Sequence, residues 1–116
     1  MGNNQVHVVN KTGESIQCIS FNNSELIYKR YRSKFHLPVS GDPVAVDGLQ
    51  GGHAVKVGII FREGEGCSYY DLFQVEHGTA LCINKISKDS GVTDFSPEGP
   101  VRLLQRGRSI GATAGI

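Results

Sequence analysis

The densest run of side chains able to hold a ligand is Tyr28-Lys29-Arg30-Tyr31-Arg32-Ser33-Lys34-Phe35-His36. Its cations, Lys29, Arg30, Arg32 and Lys34, alternate with Tyr28 and Tyr31. In such a run the rings can stack on bases or sugars while the cations hold phosphates. Read as a strand, Tyr28, Arg30, Arg32 and Lys34 share one side and form a basic stripe. The plainer reading is an edge strand whose charges keep it from pairing with other sheets.

Nucleophilic chemistry has one candidate thiol. Cys67 follows Gly66 at a loop end, and His53 or His77 is the base that could serve it. Cys18 and Cys82 lie inside apolar patterns and read as small core residues. No GxSxG elbow is present, and Gly48-Leu49-Gln50-Gly51-Gly52 lacks the Lys-Ser/Thr ending of a phosphate loop. His7, His36, His53 and His77 form no HxH or HExxH motif, and Asp42 and Asp47 lack the ligand density of a calcium loop. Neither a metal nor another cofactor is expected. The loop from Asp47 to His53 carries three glycines that let a ligand approach backbone amides, with His53 where it enters a strand. Glu63, Glu65, Asp71 and Glu76 form an acidic counterpart to the stripe, and the two together suggest head-to-tail self-association.

Those candidates sit in a chain of 116 residues with a net charge of +1. The charge gives no general attraction to nucleic acid or acidic membranes, so a basic site must be local and nucleic acid is not an expected partner. The longest apolar run, Val57 to Phe61, is far short of a membrane-spanning helix. The start has neither the basic region nor the apolar core of a leader, and Val6 stands where a myristoylation motif requires Ser or Thr. Three cysteines without CxxC spacing read as reduced thiols of an intracellular, cytoplasmic protein, with export lacking a leader as the alternative. Two glycosylation tripeptides, Asn10-Lys11-Thr12 and Asn22-Asn23-Ser24, run against that reading.

Short alternating segments must position these groups. Strands are predicted over Gln5–Val9, Ser15–Phe21, Glu25–Phe35, Pro43–Val46, His53–Arg62, Ser68–Val75, Thr79–Ile86 and Val101–Gln105. Glu25–Phe35 also fits one helical face. Lys88 to Pro100 reads as a loop, and the first two strands as a hairpin. Seven or eight short strands in this length call for two packed antiparallel sheets or a closed barrel, because an open single sheet would leave too much apolar surface in water. The expected fold is an all-β antiparallel sandwich, Ig-like or jelly-roll-like, of seven to eight short strands. It forms one domain over residues 1–108, and residues 109–116 form a flexible tail.

His53 to Ile86 is expected to form a three-strand meander in which Val55 faces Val75 and Val75 faces Thr79. Val57, Phe73 and Leu81 then form a core layer, and Asp71 falls among Ile59 and Ile83, where a carboxylate must find partners. The opposite face carries Ile60, Tyr70, Leu72 and Cys82 among Lys56, Gln74 and Asn84. It is covered by a segment such as Val101–Leu104, or it is a subunit interface.

The function these features favour is a non-enzymatic, self-associating binding or interaction module. Its expected site is Tyr28, Arg30, Tyr31, Arg32, Lys34, His53, Tyr69 and Tyr70, and its partner a protein, a glycan or another anionic ligand. The alternatives are a membrane-active, toxin-like protein that oligomerises and a thiol-dependent hydrolase.

Overall fold

The computed structural model describes residues 5–23, 30–47 and 54–111; the side chains of 22, 23, 30–33, 47, 110 and 111 are not among them. All the regular structure described is β, in two packed sheets. The four-stranded sheet holds, in spatial order, β4 (Val44–Asp47), β1 (Gln5–Asn10), β7 (Ala80–Ser87) and β8 (Gly91–Glu98). The five-stranded sheet holds β3 (Arg30–Leu37), β2 (Ile16–Asn23), β5 (Ala54–Gly64), β6 (Cys67–Glu76) and β9 (Val101–Gly111). The described residues therefore form a β-sandwich of nine strands.

Alternation explains the inner layer. Val6 and Val8 of β1, Leu81 and Ile83 of β7, and Val92 of β8 face Val55, Val57 and Ile59 of β5 and Phe73 and Val75 of β6. Most of these side chains are completely shielded, and each contributes roughly 1.5–3 kcal/mol by leaving water. The Phe95 ring meets Phe73 edge-on, at 5.0 Å between centroids, and ties β8 to the facing sheet.

The expected Val55–Val75 register is present. The expected meander is not. β6 turns at Glu76-His77-Gly78 and its successor β7 enters the other sheet, where it runs parallel to β1. Two backbone bonds fix this departure: Gly78 N–H donates to Gln5 O (2.9 Å) and His7 N–H donates to Thr79 O (3.1 Å). β1 and β2 likewise belong to different sheets and form no hairpin. Asn10 organises their connection. Its Oδ1 accepts from Thr12 N–H (3.0 Å) and Thr12 Oγ1 (2.7 Å), while Nδ2 donates to Glu14 O (2.5 Å). With its side chain buried and occupied at both ends, Asn10 cannot carry a glycan in the folded chain.

Two further expectations change. Lys88–Pro100 contains β8, an edge strand paired with β7. The segment 109–111 is not tail, because Ser109, Ile110 and Gly111 pair with Tyr69, Ser68 and Cys67.

The outer face of the five-stranded sheet carries a second apolar cluster: Ile19, Ile60, Tyr70 and Leu72, with Phe21 against it. Tyr70 lies over Gly58, whose added Cβ would come within 2.7 Å of the ring. All four are buried within the single chain, so they offer no ready subunit interface. Val101–Leu104 is not their cover, since β9 extends the same sheet and Val101 and Leu103 pack on the inner core. The far end of the β5–β6 hairpin instead bends toward β3. Lys34 Nζ reaches Ser68 Oγ (3.4 Å) and Glu63 Oε1 (3.6 Å), although β3 and β6 are three strand spacings apart, about 14 Å in a flat sheet. Bulges at Ile60/Arg62 and Tyr70/Leu72 supply the bend.

Candidate functional site

Register across the five-stranded sheet brings distant residues into line. Arg32 is opposite Phe21, Phe21 opposite Lys56, Lys56 opposite Gln74, and Gln74 opposite Arg102. One row thus crosses all five strands, with cationic residues at the first, third and fifth positions. Cα partners share a sheet face, and Phe21, Lys56, Gln74 and Arg102 of this row belong with Ile19 and Leu72 on the outer one. Phe21, Lys56 and Gln74 are half-buried and Arg102 is exposed.

Neither Lys56 nor Arg102 makes an ion pair or side-chain hydrogen bond among the described residues. Alternate strands are about 9.5 Å apart. At that distance in water two like charges repel by only about 0.4 kcal/mol, so the row persists without a partner. The row contains no carboxylate. The nearest along β6 is Glu76, opposite Ala54 at the strand end.

The surrounding charge has the same sign. Strands of the five-stranded sheet contain eight Lys or Arg and three carboxylates; those of the four-stranded sheet contain one Lys and three carboxylates. Both edges of the larger sheet are cationic, with Arg30, Arg32 and Lys34 in β3 and Arg102, Arg106 and Arg108 in β9.

The predicted site residues do not form one surface. Tyr28 and His53 lie outside the described residues. Arg30, Tyr31 and Arg32 have backbone places on β3, an edge strand as the plainer reading required. Lys34 is exposed but engaged by Glu63 and Ser68. Tyr69 lies beneath Arg62, whose guanidinium carbon is 4.1 Å from the ring centre. Tyr70 must be corrected: at 3% exposure, packed on Phe21 and over Gly58, it is a core ring and no ligand platform.

The acidic cluster also dissolves. Glu63 and Glu65 are at one end of the β5–β6 hairpin and Glu76 at the other, while Asp71 is fully buried. Asp71 is opposite Ile59 and has the partners its position demands. Oδ2 accepts from Val92 N–H (2.6 Å), Oδ1 from Gly107 N–H (3.0 Å), and Arg106 Nη1 stands 3.6 Å away. Arg106 in turn donates to Val92 O at 2.6 Å. The carboxylate therefore joins β6, β8 and β9 and is a structural hub. Gly91 belongs to it, because a Cβ there would sit 2.5 Å from Oδ2.

Cys67 and His77 bracket opposite ends of β6, a strand of 10 residues, and are about 33 Å apart along it. Ala54, the neighbour of His53, pairs with Glu76 at that same far end. His77 therefore cannot activate Cys67. Cys18 is buried, which pushes its thiol pKa up and leaves it an apolar core group. A contact that spacing could not reveal joins Ser15 Oγ and His36 Nε2 at 2.7 Å. Both residues are exposed, and no carboxylate orients the ring among the described residues. No group of three His, Cys, Asp or Glu among the described residues is placed to hold a metal ion.

Lys56 and Gln74 were legible as members of an outer face; Arg102 was not, because its place depends on β9 pairing with β6. Comparisons with protein-family models, with curated proteins and with solved structures gave no match.

Proposed function

We propose that the chain is a non-enzymatic binding module that holds an anionic partner against the outer face of its five-stranded sheet. The observation that carries this reading is the Phe21–Lys56–Gln74–Arg102 row, in which Lys56 and Arg102 have no counter-charge among the described residues. Charges paired inside a fold serve the fold, whereas solvated cations spaced along a surface are free to meet a ligand's anions. Arg108, exposed on edge strand β9 and without a carboxylate partner among the described residues, adds to the same field.

Binding of fluorescent polyglutamate, heparin oligosaccharide and single-stranded DNA, followed by anisotropy at low and high salt, tests the proposal. At least one anion is expected to bind, weaken with salt, and lose about ten-fold or more in affinity to Lys56→Glu/Arg102→Glu, since close charge pairs couple by more than ~1.4 kcal/mol. Unchanged affinity in the folded double variant would sink the proposal. A second reading follows from the excess of carboxylates in the four-stranded sheet: the anionic partner is another copy of this chain. Sedimentation equilibrium checks it, with salt-dependent association expected and a monomer at all concentrations counting against it.

A further inference from the structure

The outer end of the β5–β6 hairpin is set off from its sheet by a line of pairing breaks. The β5–β6 register shifts between Ile60 and Arg62, leaving Phe61 without an opposite residue. The β6–β9 register shifts between Tyr70 and Leu72, so that Arg106 and Gly107 together face Asp71. Gly107 has a φ of 71°, the left-handed backbone that such a bulge uses. Three neighbouring strands therefore break at one level. Beyond it the ladders resume: Tyr69, Ser68 and Cys67 pair with Arg62, Glu63 and Gly64 on one side and with Ser109, Ile110 and Gly111 on the other. Arg62 also stacks on Tyr69. The distal part is thus a three-stranded arm with bracing of its own.

This arm swings toward the outer face. Lys34, Ile19, Gly58 and Leu72 lie in one row across β3, β2, β5 and β6. In a flat sheet the Cα atoms of Lys34 and Glu63 would be about 19 Å apart, beyond the joint reach of the two side chains. Yet Lys34 Nζ stands 3.6 Å from Glu63 Oε1 and 3.4 Å from Ser68 Oγ. Ile60 and Tyr70, at the root of the arm, pack with Ile19 and Leu72 in one apolar cluster. Ile19, Leu72 and Ser68 are buried there, although among the described residues no second sheet covers that face.

Independently of the anionic-partner reading, we infer that the arm is a lid, hinged on the breaks at Phe61, Asp71 and Gly107 and latched shut by Lys34. Hinge and latch differ in strength. Asp71 is fully buried and takes the N–H groups of Val92 and Gly107, so the hinge line is pinned to β8. The latch is wet, with the Lys34 and Glu63 side chains 40% and 48% exposed. An ion pair so exposed holds weakly, and salt screens it. A braced arm between a pinned hinge and a weak latch opens as one body, at lower cost than the inner strands. Lifting it releases Lys34 and uncovers Ile19 and Leu72. The open form so adds a cation and two apolar side chains to the face that carries Lys56 and Arg102.

Amide hydrogen exchange of the full chain, read by mass spectrometry, tests the lid. The hydrogen-bonded amides of residues 62–69 and 108–111 are expected to exchange about ten-fold or more faster than those of 55–59 and 73–75, with one opening equilibrium for both segments. Glu63→Gln should speed both segments by about two- to five-fold, although 108–111 belong to another strand. Sodium chloride at about 1 M should do the same to the parent and little to the variant. Leu72→Cys gives a second reading: iodoacetamide should modify it about two- to five-fold faster beside Glu63→Gln, while buried Cys18 stays unmodified. Arm amides as slow as the inner strands overturn the inference. So does a Glu63→Gln effect that is absent or confined to the neighbours of position 63. Neither readout uses an anionic ligand, so failure here leaves the binding face standing, and unchanged affinity in Lys56→Glu/Arg102→Glu leaves the lid standing.

Discussion

Asp71 and the outer row are two charged regions that share β6, and they use charge in opposite ways. Asp71, on the inner side, is wholly removed from water and is met by two backbone N–H groups and a guanidinium. Lys56 and Arg102, on the outer side of the same strand's neighbours, meet no carboxylate among the described residues. A buried charge must be satisfied from within because leaving water is costly, and its partners then become fixed structural links. A solvated charge has no such requirement. The contrast explains why the residue most enclosed by polar contacts is read as architecture and the least engaged cations as a site.

The sharpest way to break the contrast is to remove the buried charge. Asp71→Ala strands the N–H groups of Val92 and Gly107 and opens a small void between the sheets. Each orphaned donor costs about 1–3 kcal/mol, so the variant should lose roughly 3–4 kcal/mol in urea denaturation. A loss below about 1 kcal/mol would show that the hub is not structural. Asn10→Ala comes next. It removes acceptors for Thr12 and a donor to Glu14 O, and should lower stability by about 2 kcal/mol. Stability equal to that of the parent would mean that the β1–β2 connection is held by other bonds.

How much of this was legible follows from what alternation encodes. A period of two states that a strand buries one face, and so the inner residues of β5 and β6 and the need of Asp71 for partners could be read directly. The register of Val55 and Val75 was also readable, because the intervening turn is local and glycine-rich, with Glu65 and Gly66 both at positive φ. Alternation does not state which strand lies alongside. Asn10–Ser15 and His77–Thr79 are as short as hairpin loops yet step between sheets, and the bonds that direct them involve Gln5, Leu37 and Pro38, far away in sequence. β8 was missed for a different reason. As an exposed edge strand it buries chiefly Gly91 and Val92, and Pro97 argues against a strand unless the strand is an edge. The row of cations needed three non-local pairings at once, β2 with β5, β5 with β6 and β6 with β9, of which only the second was visible.

Smaller perturbations sharpen the same contrast on the outer face. Gly58→Ala drives a methyl against the Tyr70 ring, with Phe21 also within 3.3 Å. Repacking should cost about 1–2 kcal/mol by thermal denaturation, and Gly58→Ala/Tyr70→Leu, which relieves the contact, should recover part of it. No recovery would place the cost in the backbone rather than the ring.

The smallest effect on stability is expected where the effect on binding is largest. Lys56→Ala/Arg102→Ala removes two cations that touch no partner among the described residues, so unfolding free energy should move by no more than about 0.5 kcal/mol. Removing mutual repulsion even favours a slight gain at low salt, on the order of 0.4 kcal/mol at most. That gain should vanish at high salt, where charges this far apart are screened. Chemical denaturation of parent and variant at the two ionic strengths measures it. A loss of 2 kcal/mol or more, independent of salt, would mean that these side chains brace the sheet as Asp71 does, and the outer row would lose its claim to be a site.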